Sequence, residues 1–96
     1  MRITVLVPGL LRSYTGGADE VAVDVVPHAD GGGPTLADAV AALDRAYPGL
    51  AFRIVDEQRC IRPHIKLFVD RLQARELAAP LPPAATLMIV GALSGG

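Results

Sequence analysis

Only one stretch of this chain has the apolar spacing of a helix, and alternating stretches lie on both sides of it. Leu36, Val40, Leu43 and Tyr47 fall at i, i+4, i+7 and i+11, one face of an amphipathic helix. Thr35 stands at the N-cap, with Asp38 at the capping-box position in place of the usual Glu. Pro48-Gly49 stops the helix. One helix cannot cover both faces of a sheet. The spacing therefore predicts an α+β domain in which this helix packs across one face.

The alternating stretches supply the sheet. Ile3, Val5 and Val7 alternate with Arg2, Thr4 and Leu6, a strand with one buried face. Pro8-Gly9 ends it, residues 10–14 make a compact connection, and Thr15-Gly16-Gly17 turns the chain. Val21, Val23 and Val25 form the second strand, closing at Pro27, and the short connection predicts an antiparallel hairpin. After the helix, residues 50–63 read as irregular, pinned to the core by Phe52, Ile54 and Val55. In residues 64–70, Ile65, Leu67 and Val69 share one face, with Lys66 and Phe68 on the other. Arg71-Leu72 reads as a turn and residues 73–77 as a short edge strand. Pro80, Pro82 and Pro83 exclude regular structure before the last strand, Leu87-Met88-Ile89-Val90. With the helix as crossover, the first and last strands become parallel neighbours. The result is a β-grasp, or ubiquitin-like, fold: a mixed four- to five-stranded sheet with one main helix on one face.

Composition limits what such a domain does. The 96 residues, 51% hydrophobic and 20% charged, suit one domain with a core. A net charge of −1 with no basic block leaves no electrostatic footprint for nucleic acid, and no apolar run approaches the length of a membrane span. The N-terminus lacks a secretory pattern, and the single Cys60 fits a reducing compartment, so a cytoplasmic location is expected.

The chain ends Gly91-Ala92-Leu93-Ser94-Gly95-Gly96. These residues have no apolar periodicity. The expected division is a domain over 1–90 and a flexible tail over 91–96, which fully extended reaches about 20 Å. Glycine is conformationally costly unless a backbone must pass somewhere narrow. Such a tail offers the Gly96 carboxylate to a partner's active site with no side chain in the way.

At this point the sequence resembles the ThiS/MoaD family of ubiquitin-like sulfur carrier proteins. The resemblance covers nearly the whole chain in element order. It is carried by Pro8-Gly9-Leu10-Leu11-Arg12 with Thr15-Gly16-Gly17, by Ile65-Lys66-Leu67-Phe68-Val69-Asp70, and by the closing strand with its di-glycine end. Pro82-Pro83-Ala84-Ala85 replaces the family's acidic-Gly-acidic turn, and Gly91 stands where Pro is common. The added length between helix and third strand is similar to the MoaD branch, of molybdopterin biosynthesis, and to related cysteine-type carriers.

The resemblance implies a protein substrate rather than an enzyme. A ubiquitin-activating-type adenylating enzyme, using ATP, would join the Gly96 carboxylate to AMP. A sulfur donor would then displace AMP to leave a thiocarboxylate for a downstream sulfur-accepting synthase. Gly95 and Gly96 are the reacting end. The carrier itself is expected to bind no cofactor and no metal, and to have neither nucleic acid nor membrane as a partner.

Strand parity adds a docking surface. If Ile3, Val5, Val7, Ile65, Leu67 and Val69 face the helix, Leu6 and Phe68 face outward, joined by Met88 or Val90 from the last strand, and a contiguous apolar patch of this kind suggests a partner site unless residues 50–63 or a second copy of the chain cover it. The expected partner-binding set is Leu6, Phe68, Met88 and Val90 with Gly91, Ala92, Leu93 and Ser94.

Other candidates carry less. Gly31-Gly32-Gly33 precedes a helix, as phosphate loops do, but lacks the Lys-Ser/Thr of a P-loop and the dinucleotide spacing, so a plain loop is the stronger reading. Cys60 has no His-Asp arrangement near it in sequence, and His28 and His64 lack metal spacing. Two alternatives to the sulfur carrier stay open. One is a ubiquitin-like modifier conjugated through Gly96, and the other is a non-catalytic β-grasp interaction module.

Overall fold

The alternating stretches form five strands in a computed structural model, which describes residues 1–27 and 31–91. In chain order the elements are β1 (Arg2–Leu6), a 3-10 helix (Gly9–Thr15), β2 (Glu20–Asp24), α1 (Leu36–Ala46), α2 (Leu50–Ile54), β3 (Ile65–Val69), β4 (Leu72–Ala74) and β5 (Thr86–Gly91). The sheet order is β2-β1-β5-β3-β4. β1 and β5 are parallel, with Val5 opposite Leu87, and the other three pairings are antiparallel. This is the expected β-grasp.

α1 packs on one face of the sheet because its apolar stripe meets the inward strand residues. Leu36, Ala39, Val40 and Leu43 are buried with Ile3, Val5, Val23, Ile65, Leu67, Leu87 and Ile89. Tyr47 is the C-cap and is half-buried at the edge of this core. The start of the helix is held from two directions. Asp38 Oδ2 accepts the Thr35 N–H at 2.8 Å, the reach-back half of a capping box. The N–H groups of Leu36 and Ala37 donate to the carbonyls of Ala79 and Leu77 at 2.8 and 2.9 Å. The segment between β4 and β5 thus satisfies donors that a helix start leaves open. It is further fixed by Leu81, which is buried and donates its N–H to Pro34 O at 3.0 Å.

Residues 50–63 differ from expectation. They begin with a short helix, α2, whose Leu50 and Ile54 point into the core one turn apart. Phe52, expected to pin the segment, is 57% exposed, because the helical period turns it away from the side shared by Leu50 and Ile54. Asp44 holds α2 onto α1, its Oδ1 accepting the N–H groups of Gly49 and Ala51 at 3.0 and 3.2 Å. Beyond α2, Asp56 Oδ1 accepts from the Gln58 and Cys60 amides and closes a turn. Val55 and Ile61 form a bridge across that turn.

The expected edge strand over 73–77 is instead Leu72–Ala74. The turn before it is made by Asp70 and Arg71, both at positive φ, the pattern of a two-residue type I′ hairpin. Asp70 ties that hairpin to β5: its Oδ1 accepts the Thr86 N–H at 2.8 Å, and its own N–H donates to Thr86 O at 3.0 Å.

Candidate functional site

The outward face of the sheet is built by strand register. Leu6 on β1 lies opposite Met88 on β5, and Met88 lies opposite Phe68 on β3. The same row continues to Glu20 on β2 and Gln73 on β4. The central three positions are apolar and the two ends polar. Leu6 and Phe68 are half-buried, and Met88 is 36% exposed. Val90 extends the apolar surface along β5, opposite Lys66. The four expected sheet positions of the partner surface therefore share one face.

Two shallow hollows flank this row. One, of about 430 Å³, is lined by Leu6, Phe68 and Met88 with Asp70, Arg71 and Thr86 at its end. The other, of about 420 Å³, runs from Leu6 and Met88 past Val90 to Gly91, with Arg12, Asp19 and Glu20 at its wall. Arg12 is held there by its Nε, which donates to Val7 O at 3.1 Å.

β5 continues through Gly91, paired with Ile65 and one residue past the expected end of the domain. A Cβ at Gly91 would run into the Leu10 side chain, with Ile65 Cδ1 at 3.8 Å beyond it. Leu10 thus occupies the space a side chain would take. The expected tail residues Ala92, Leu93, Ser94, Gly95 and Gly96 lie outside the described residues, as does His28.

The inner side of the β5 exit holds residues that sequence reasoning passed over. Leu10, Leu11, Ser13, Tyr14, Arg53 and His64 line a small basin. The Arg53 Nε donates to the Tyr14 hydroxyl at 2.7 Å across 39 residues of sequence, and this bond raises the guanidinium pKa from its ordinary value. Tyr14 and Arg53 share no local pattern, so no sequence signal joins them.

The lesser candidates resolve simply. The N–H groups that begin α1 donate to Asp38, Ala79 and Leu77, so they are not open to a phosphate. Cys60 is exposed and free, on the Asp56 turn. Among the described residues, no group of His, Cys, Asp and Glu is arranged to hold a metal ion. No helix among them is long and apolar enough to cross a membrane.

Known structures share this architecture over almost the whole chain. A chain of the BexX/CysO complex of Amycolatopsis orientalis superposes with a TM-score of 0.80 at 27% identity, covering 98% of this chain and 99% of that one. CysO of Mycobacterium tuberculosis, an antigen, gives 0.75 at 24% identity over 95% and 99%. SAMP1 of Haloferax volcanii gives 0.75 at 23% identity over the full length of both. A further structure of that protein is described as small archaeal modifier protein 1. No family model and no curated protein matches the chain. The chain is a ubiquitin-like β-grasp protein, in keeping with the ThiS/MoaD resemblance of its sequence.

Proposed function

We propose that this chain is a sulfur carrier protein whose Gly96 carboxylate is activated by a ubiquitin-activating-type adenylating enzyme. The observation that carries the reading is the apolar row Leu6–Met88–Phe68, because its middle member sits on β5, the strand that leads to the C-terminal residues. A partner that grips this row sits beside the strand from which residues 92–96 follow in the chain. The five residues beyond Gly91 span at most about 17 Å when extended, which suits delivery into an enclosed site.

The chemistry follows from the poor leaving ability of a carboxylate oxygen. Attack of the Gly96 carboxylate on ATP forms an acyl-adenylate and releases pyrophosphate, dividing one hard step into easier ones. A sulfide-level donor then attacks the acyl carbon, a C–S bond forms, AMP leaves, and a thiocarboxylate remains for a sulfur-accepting synthase. The partner consumes the ATP, and the carrier holds no cofactor of its own. The carrier's contribution is orientation of the acyl carbon. We favour a MoaD-like or related cysteine-type carrier, since residues 50–63 form α2 and the Asp56 turn rather than a minimal link.

A second reading is supported by the likeness to a small archaeal modifier protein. In it, the activated Gly96 forms an amide with a target lysine.

The test is pyrophosphate release by the adenylating enzyme of the source organism, with the full chain and with Gly96 deleted or followed by a C-terminal tag. The full chain is expected to support release and the altered chains to give none while remaining folded. Equal activation of all three would sink the carrier and modifier readings together and leave a plain interaction module. Exchange of one carboxylate oxygen for sulfur, seen by mass, favours the carrier; lysine-linked conjugates favour the modifier.

A further inference from the structure

We infer that the basin formed by Arg53, Tyr14 and His64 is a second contact for the activating partner, taking a carboxylate from the protein wall beside the tail's entry. The inference rests on the carrier reading and adds to it a polar contact on the side of β5 opposite the apolar row.

Position comes first. Leu10 lines the basin and also fills the space over Gly91, so a single leucine side chain separates the basin from the exit of β5. His64 lies in the chain next to Ile65, the residue paired with Gly91. Whatever encloses the tail as it leaves Gly91 also faces this basin.

Chemistry comes second. The lining holds a guanidinium and an imidazole and no carboxylate. Arg53 is exposed, yet it is not loose. Its Nε is bound to the Tyr14 hydroxyl, and its guanidinium lies 5.9 Å from the Tyr14 ring centre. Tyr14 is itself seated, packed against the core and close under Gly49, where a Cβ would come within 3.2 Å of its ring. Gly49 has φ +95°, so its backbone and its lack of a side chain both serve this seating. With Nε engaged, the two terminal nitrogens of Arg53 remain to form a fork. A fork of that kind matches the two oxygens of a carboxylate, and fixing it beforehand lowers the entropy lost on binding.

Distance decides between a carboxylate and a phosphate of the nucleotide. The acyl-adenylate forms at Gly96, five residues beyond Gly91, and a segment of that length can carry it up to about 17 Å away. The basin therefore faces the wall at the tail's base. Tyr14 acts as a positioning residue for Arg53.

The test uses the same adenylating enzyme at saturating ATP, with the full chain varied in concentration. Arg53→Glu is expected to raise the apparent KM about tenfold or more with kcat little changed, since a charge-assisted pair is lost and a repulsion added. Arg53→Lys should recover part of the loss, because lysine keeps the charge without the fork. Tyr14→Phe should raise KM a few-fold and lessen the advantage of the native arginine over the Arg53→Lys variant. The wild-type KM should climb with ionic strength more steeply than that of Arg53→Glu. An unchanged KM for Arg53→Glu at low salt overturns the inference while the carrier reading stands. A lowered KM also overturns it. A wild-type chain that the enzyme does not activate removes the carrier reading, and this inference with it.

Discussion

At the middle register of the central strands both faces carry large apolar residues, and they differ in what covers them. On the inner face, Leu67 and Leu87 have no exposed surface and pack with α1, α2 and their own neighbours. On the outer face, one residue away along the same strands, Phe68 and Met88 are opposite each other and remain partly open. The pleat alternates side chains between faces, so adjacent residues of one strand serve different ends. Stability is drawn from the inner row. Among the described residues no helix lies over the outer row, and its members stay partly open.

Core truncation is the strongest way to sharpen this contrast. Leu43→Ala on α1, or Leu67→Ala on β3, should cost about 2–5 kcal/mol, since both are fully buried. Thermal or denaturant unfolding measures it. A loss below about 1 kcal/mol at both positions would break the assignment of the inner face as the stabilising one.

A smaller effect on folding is expected outside. Phe68→Ala should lower stability by about 0.5–1 kcal/mol, the scale of a cross-strand contact, while markedly weakening binding to the adenylating enzyme. Calorimetric titration beside a melting curve separates the two quantities. The comparison fails if stability falls as far as in the core variants and affinity does not move.

The smallest change concerns the end of β5. Gly91→Ala drives a Cβ against Leu10, but Leu10 is 44% exposed and free to swing outward. The expected loss is about 1 kcal/mol or less. In the Leu10→Ala background the same substitution should cost still less, as a double-mutant cycle would reveal. Equal costs in the two backgrounds would mean that Leu10 is not what the glycine accommodates.

Much of this was legible because it is local. The apolar spacing of residues 36–47 specifies α1, and the Thr35–Asp38 pair marks its start. The two-residue period of β1, β3 and β5 assigns Leu6, Phe68 and Met88 to one face, and a slip of one residue would have exchanged the faces. Residues 50–54 were harder. Five residues are too few to establish a helical period, and Phe52 has the hydrophobicity of a core residue with the position of a surface one.

What the sequence alone determined is therefore α1, the four longer strands, their order and the inward or outward parity of β1, β3 and β5, all fixed by backbone period and turn chemistry within a few residues. Tertiary structure decided which distant groups meet. The carbonyls of Leu77 and Ala79 complete the start of α1, Leu10 closes over Gly91, and Tyr14 holds Arg53 across 39 residues. Such contacts have no sequence period because each depends on how separate elements pack, and packing is set by the shape and volume of the whole core rather than by any one segment.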